Sequence, residues 1–376
     1  MLKKKIKLLT ILGTRPEIIR LSRIIPEFDK HFDHKILHTN QNYDKNLKNI
    51  FFKDLGLRKA DYVLSIASKN NIETISRILI NTDKIVNIVK PDAIFILGDT
   101  NSSLSSIVAK KKQIPIFHYE AGNRSFDERV PEEANRRIVD TISDINLTYS
   151  SISREHLVRE GKPSNRVINV GSPMLEVINF YKSKIKKSKI LKKLKLKKNN
   201  YIVLSSHREE NVDDKDNFKK LINVIDLLNE NYNIKVVISV HPRIKEKIKK
   251  IDKKKFKNVI FSNPFCFTDY LNLQINSKVV LSDSGTINEE TSILNLKSIN
   301  LRFSHERPEA EEQGASIMTG LDLERIKQAI EYLTNNKLKR PEIVNDYNQK
   351  NVSNKLVKII ISFINFINEN NYKKKY

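Results

Sequence analysis

The strongest constraint on this chain is a repeated alternation of strand and helix patterns. Short apolar runs end in Gly, Ser, Asp, Glu or His and pass directly into amphipathic helical patterns. Runs 7–12, 35–38, 93–97, 115–118, 145–148 and 167–169 read as buried strands in the first half. Runs 201–204, 234–240, 259–261, 279–282 and 298–301 read the same way in the second. Helical periodicity fills the gaps at 18–28, around 44–55, and at 72–89, 102–112, 151–160, 217–229, 269–276 and 287–295, with another helix opening at Pro131. Strands separated by single helices pair in parallel through right-handed crossovers. The alternation restarts after a lysine-rich connection at 173–200, and a helix at 352–369 has no strand after it. The predicted fold is therefore α/β, with a parallel-sheet domain at 1–172 and another at 201–351. In such sheets ligands bind beyond the carboxyl ends of the strands. Arg15, Asp99, Glu120, His207, His241, Ser284 and Arg307 all fall at or just past such ends, so the expected site is a cleft between two facing domains.

Charge narrows the class of partner. The chain of 376 residues carries a formal charge of +24, and its 68 basic residues divide into 50 Lys and 18 Arg. The Lys are diffuse, densest at 182–198 and 245–257, and are not interleaved with aromatics. A nucleic-acid surface needs concentrated basic and aromatic side chains, so the Lys read as a solvated surface and no nucleic-acid partner is expected. The Arg instead cluster in the strand-end motifs, where bidentate contact with phosphate or carboxylate is their particular use. A single Cys, Cys266, excludes an internal disulfide and suits a reducing cytoplasm. The opening MLKKKIKLLTILG passes straight into GTRPE without a small-residue cleavage site. It reads as a first strand, and no apolar run is long enough to span a membrane.

The stretch 281–314 carries the most chemistry. A strand breaks at Asp283-Ser284-Gly285-Thr286 and a helix follows with Glu289 and Glu290 in its first turn. Free backbone N–H groups at such a crossing favour an anion. The next strand runs into Arg302 and His305-Glu306-Arg307-Pro308-Glu309. A phosphate cradle, carboxylates for a ribose and a guanidinium suggest a nucleoside diphosphate. The plainer alternative is a helix cap followed by a solvated turn.

Gly13-Thr14-Arg15-Pro16-Glu17 has the turn chemistry of a tight strand-to-helix crossing, with Arg15 at the helix start. Asp99, Glu120, Glu132 and His207 are candidate proton handlers. Asp99 as a helix cap, Glu132 and Glu133 as first-turn acids, and His207 as a structural imidazole are the competing readings. No HExxH, Cys/His cluster or Walker A pattern occurs, and Gly13 lacks the further glycines of a dinucleotide fingerprint. The expectation is no metal and no cofactor.

In this order, GTRPE, GDTNS, EAGNRSFDERVPEEANRR, SSHREEN, HPR and DSGTINEE…HERPE resemble the non-hydrolysing UDP-N-acetylglucosamine 2-epimerases over residues 6 to about 320. The resemblance implies two Rossmann-like domains in a glycosyltransferase-B arrangement, a homodimer, and a final helix that returns to the N-terminal domain. It implies that Arg15, Ser284, Gly285 and Arg307 hold a diphosphate, and that Glu290 holds the ribose. Asp99, Glu120, Glu132 and His207 would surround C2 of the sugar. Arg20, Arg136, His241, Tyr270 and Thr286 complete the expected substrate-binding set. Thr286 stands where those enzymes have a second Gly, Arg20 where they have Lys, and Gln41-Asn42-Tyr43-Asp44 replaces a Gln-His pattern tied to an allosteric site. With Asn123, these features resemble the branch that converts UDP-2-acetamido-2,6-dideoxy-L-talose to UDP-N-acetyl-L-fucosamine for capsule or O-antigen. The alternatives are UDP-N-acetylglucosamine as substrate and, further off, a UDP-sugar glycosyltransferase.

Overall fold

The computed structural model describes residues 5–40, 52–66, 68, 70–206, 208–240, 242–249, 255–335 and 341–374. His207 and His241 lie outside the described residues, as does most of the helix expected at 44–55. Two compact units are present, one of residues 1–179 with 345–376 and one of residues 180–344.

The first unit holds seven parallel strands: β1 (Lys7–Leu12), β2 (Asp33–His38), β3 (Tyr62–Val63), β4 (Ala93–Leu97), β5 (Ile116–Ala121), β6 (Ile145–Thr148) and β7 (Val167–Asn169). Their order is β3-β2-β1-β4-β5-β6-β7. The runs are almost wholly apolar because helices cover both faces of a parallel sheet. Leu9, Ile11, Ile94 and Ile96 pack with Ile78 and Val86 of the Asn71–Val89 helix. The strand order reverses between β1 and β4, so the loops leaving their carboxyl ends diverge and open a crevice there.

One predicted helix is two. The pattern at 18–28 becomes Arg15–Leu21 and Ile24–His31, with a turn at Ser22-Arg23. Pro26 has no N–H to offer the carbonyl four residues back, so a continuous helix cannot pass this point unbroken. Similarly, 102–112 divides into a 3₁₀ turn, Asn101–Ser105, and the helix Ser106–Lys111. The two-residue strands β3 and, in the second unit, Ile317–Met318 were not anticipated.

The Val352–Tyr372 helix belongs to the first unit and packs on Ile24–His31. Glu176 accepts from Ser353 N–H at its start. At its end, Asn371 Nδ2 and Tyr372 Oη donate to the buried Asp144 at 2.8 and 3.0 Å.

The second unit repeats the plan with β8 (Tyr201–Ser205), β9 (Lys235–Ser239), β10 (Val259–Ser262), β11 (Val279–Ser282), β12 (Ser298–Asn300) and β13 (Ile317–Met318). All are parallel, in the order β10-β9-β8-β11-β12-β13, and the reversal falls between β8 and β11. Within 173–200 lie the helices Met174–Lys186 and Ile190–Lys193, and the chain passes from one unit to the other at 179–180. Among the described residues, no helix is long and apolar enough to cross a membrane.

Candidate active site

At the switch point of the first unit, the turn after β1 is joined to the turn after β4 through Glu17. Its Oε2 accepts from Gly13 N–H at 2.5 Å and Thr14 N–H at 3.1 Å, while its Oε1 accepts from the Thr100 hydroxyl at 2.8 Å. Burial pushes the Glu17 carboxyl up to about 7, and these hydrogen bonds only partly oppose the shift. Gly13 is required here: a Cβ would lie 2.1 Å from Ser102 Oγ and 2.2 Å from Thr39 Oγ1. Arg15, half-buried, is the first residue of the following helix.

Two candidate proton handlers meet at the same edge. Arg136 grips Asp99 Oδ2 through Nη2 at 2.7 Å and Nε at 3.0 Å. Asn135 Nδ2 fixes the Asp99 carbonyl at 3.0 Å. Glu120 pairs with Arg20, whose guanidinium also lies 5.4 Å from the Tyr149 ring centroid. A Cβ on Gly98 would stand 3.3 Å from Glu120 Oε2, so that carboxylate lies over the turn leading to Asp99. Glu120 has φ +69°, at a shift of register in the β5–β6 pairing. A left-handed backbone at a non-glycine residue costs on the order of 1 kcal/mol, and such residues gather at functional sites. The Asp99 and Glu120 side chains keep 24% and 11% exposure, enough to meet a ligand. Glu132 is half-buried in the first turn of the Pro131–Ile142 helix.

The helix that supplies Arg136 also carries acids to which the sequence reading gave no role at the site. Glu133 is fully buried and accepts from Ser125 N–H at 3.1 Å and Arg136 Nη1 at 3.0 Å. Burial opposes its charge, yet Ser125, Arg136 and Arg137 hold it below the usual carboxylate range. Asp140 lies 2.9 Å from His118 Nδ1 and 2.7 Å from Arg124 Nη1. Burial alone would raise Asp140, but His118 and Arg124 hold it low. His118 Nε2 donates to the Gly98 carbonyl at 2.9 Å, which makes this buried chain a second support for the turn before Asp99. Residues 133, 136 and 140 share one face of the helix at three- and four-residue spacings. That charged stripe was the available signal.

At the switch point of the second unit, Asp283 Oδ2 accepts from Ser206 Oγ at 2.6 Å, Arg208 N–H at 3.1 Å and Asn211 Nδ2 at 3.1 Å. Its carboxylate thereby fixes the turns after β8 and β11 together. Arg307 Nε donates to the Gly285 carbonyl at 3.0 Å, and its Nη2 lies 3.5 Å from Glu289. Arg302, equally buried, reaches Glu306 at 2.9 Å, while its Nε and Nη2 find no hydrogen-bond partner among the described residues. A Cβ on Gly285 would stand 3.1 Å from Arg208 Nη2 and 3.2 Å from Glu306 Oε1. The turn is thus closely ringed by charged groups. Ser284 Oγ lies 3.1 Å from Thr286 Oγ1, which donates to Glu290 Oε1 at 2.8 Å. Gln274 Nε2 donates to Glu290 Oε2 at 2.8 Å. Tyr270 is one turn before Gln274 on the Phe267–Ile275 helix and packs, partly buried, against the apolar cluster that includes Tyr201, Leu273 and Ile287.

The first edge thus gathers Asp99, Glu120, Arg20 and Arg136, with Arg15 at the neighbouring turn. The second gathers Ser284, Gly285, Thr286, Glu290 and Arg307. Among the described residues, no group of three His, Cys, Asp or Glu could hold a metal ion.

The UDP-N-acetylglucosamine 2-epimerase family model matches residues 27–361. The solved UDP-N-acetylglucosamine 2-epimerase of Rickettsia bellii is 43% identical, with 98% of this chain and 100% of that chain covered and a TM-score of 0.91. The UDP-GlcNAc 2-epimerase of Methanocaldococcus jannaschii, solved in complex with UDP-GlcNAc and UDP, is 34% identical, with 95% and 100% covered and a TM-score of 0.89. The UDP-2,3-diacetamido-2,3-dideoxy-D-glucuronate 2-epimerase of Pseudomonas aeruginosa is 32% identical over 84% of this chain and 88% of that protein. This chain belongs to the UDP-N-acetylglucosamine 2-epimerase family, a family of non-hydrolysing isomerases.

Proposed function

We propose that the protein inverts C2 of a UDP-2-acetamido sugar by eliminating UDP and adding it back. The observation that carries this reading is the buried Arg307 guanidinium, fixed on the Gly285 carbonyl at a strand-to-helix turn. A buried cation beside the start of a helix, whose dipole favours negative charge, suits a diphosphate that gains charge as it leaves. The C2 hydrogen of such a sugar is not next to a ring carbonyl, so direct removal would give a very unstable carbanion. Departure of UDP places positive charge on C1 and the ring oxygen and acidifies that hydrogen. A carboxylate then takes the proton, the C2–H electrons form the C1=C2 bond, and the C1–O pair leaves with UDP. Proton delivery to the opposite face of C2 and attack by a UDP oxygen on C1 complete the inversion. The reading assigns the diphosphate to Arg15, Ser284, Gly285 and Arg307, and the ribose to Glu290. Asp99, Glu120, Glu132 and His207 are assigned the proton transfers, because inversion needs handlers on both faces. Arg20, Arg136, His241 and Tyr270 are assigned to the substrate's periphery.

The reading extends to UDP-2-acetamido-2,6-dideoxy-L-talose as substrate, to give UDP-N-acetyl-L-fucosamine for capsule or O-antigen in the cytoplasm, with the protein as a homodimer. Arg20 on Glu120 and Thr286 on Glu290 support this choice, because both are points where the sequence departs from the N-acetylglucosamine enzymes. The P. aeruginosa relative's name indicates that related chains act on other UDP-hexosamines. The test is NMR in D₂O with this sugar nucleotide and, separately, with UDP-N-acetylglucosamine. The expected result is faster turnover of the L-talose compound and deuterium at C2 of the product. Product with protium retained at C2, and no ¹⁸O scrambling from the C1–O–P bridge, would overturn the elimination. Faster turnover of UDP-N-acetylglucosamine would overturn only the substrate choice.

A further inference from the structure

The Thr286 hydroxyl is committed to protein partners. Oγ1 donates to Glu290 Oε1 at 2.8 Å and lies 3.1 Å from Ser284 Oγ. The other Glu290 oxygen accepts from Gln274 Nε2, also at 2.8 Å. Glu290 and Gln274 are 5% and 2% exposed. One carboxylate is therefore held at both oxygens by donors from two different helices. Thr286 has φ −93° and ψ −9°, an ordinary right-handed conformation, so nothing in the backbone demands glycine here. Its side chain adds a hydroxyl four residues before Glu290, on the same face of the helix.

We infer that Thr286 and Gln274 are positioning residues that lock the Glu290 carboxylate to read the cis-diol of the ribose, which makes the site selective for ribose over 2′-deoxyribose. This inference rests on the assignment of the UDP ribose to Glu290. A ribose hydroxyl donates a charge-assisted hydrogen bond to such a carboxylate. When the ligand lacks the 2′-hydroxyl, a carboxylate held at both oxygens cannot turn towards the remaining 3′-hydroxyl, so the ligand does not make good the lost hydrogen bond. An unbraced carboxylate regains rotamer freedom and finds water, and the penalty for the deoxy ligand shrinks. Thr286 thus tunes selectivity without touching the ligand.

The experiment is calorimetric titration of the full chain with UDP and with 2′-deoxy-UDP. The wild type is expected to prefer UDP by about 10- to 100-fold, the range for a hydrogen bond to a charged group. Thr286→Val, which keeps the shape and removes the hydroxyl, is expected to lower that preference to about threefold. Thr286→Ser is expected to restore it. Gln274→Leu acts on the other oxygen and is expected to give the same collapse, which keeps the test open if Thr286→Val does not fold. A preference unchanged in Thr286→Val, or weakening of both ligands by the same factor, overturns the inference. Equal wild-type affinity for the two ligands also overturns it. No binding of either ligand by folded wild-type protein would instead refute the UDP site on which the inference rests.

Discussion

The two switch points share a topology and differ in chemistry. In the first unit, acids protrude and arginines hold them: Arg136 on Asp99, Arg20 on Glu120. In the second unit, arginines are sunk into the turn and acids hold them: Glu289 beside Arg307, Glu306 on Arg302. Opposite-charge pairing is common to both, but the group left facing a ligand is reversed. The strained φ of Glu120 and the tight fit of Gly13 fall on the acidic edge. One parallel-sheet plan, used twice, therefore carries partly exposed acids on one edge and buried arginines on the other, the division that the proposed proton transfers and diphosphate binding call for.

The contrast is broken most directly at Glu120. Glu120→Gln keeps the size and the hydrogen bonding to Arg20 while removing the proposed proton acceptor, and kcat is expected to fall by about 10²- to 10⁴-fold. UDP affinity, read by calorimetry, is expected to hold within about twofold, because that ligand is assigned to the other edge. A parallel loss of UDP affinity would merge the two roles. On the second edge, Arg307→Lys retains the charge and loses the planar fork, and turnover is expected to drop about 10²-fold. Arg302→Lys is expected to cost turnover less than tenfold, with its main effect on thermal stability. Equal losses in turnover would take the diphosphate away from Arg307.

A third test concerns pH and is confined to the first unit. Glu17 titrates at 4.5 when unperturbed and at about 7 when folded. Its raised folded value means that its contribution to stability is full below 4.5 and is lost as pH rises towards 7. The difference amounts to roughly 3 kcal/mol. Relative to Glu17→Gln, the wild type is expected to lose stability progressively from pH 4.5 to 7 in urea unfolding. A pH-independent difference between the two proteins would show that Glu17 is not buried as an acid. The smallest effect is expected from the lysine-rich segment. Replacing five lysines within 182–198 by Gln is expected to leave kcat/KM within about twofold. A rise in KM that salt abolishes would show that this surface steers the anionic substrate.

Much of the framework was legible because a buried parallel strand must be a continuous apolar run. Residues 7–12, 93–97, 145–148, 167–169 and 279–282 were delimited to the residue. The strand-end motifs were legible for a related reason: polar residues that directly follow such runs have to lie at the sheet's edge. Helix interruptions were less legible. Periodicity at 18–28 survives the turn at Ser22-Arg23, because the helices on either side both bury apolar residues, Ile18 and Leu21 before it, Ile24, Ile25 and Phe28 after it.

The sequence by itself therefore determined the α/β class, the duplication of the sheet and the residues at strand ends, since burial and turn chemistry are local demands. Only the tertiary structure decided which charges meet. Arg20 finds Glu120, and Arg136 finds Asp99, because the strand order brings β1 beside β4 and β4 beside β5. In the second unit, Glu290 is fixed by Gln274 from another helix, a partner that no spacing in the sequence announces. The same holds for His118, Asp140 and Arg124, three charged or polar groups whose burial is tolerable only in one another's company. Pairing across a sheet is a property of strand order, and strand order is set by the packing of the whole unit rather than by any one segment.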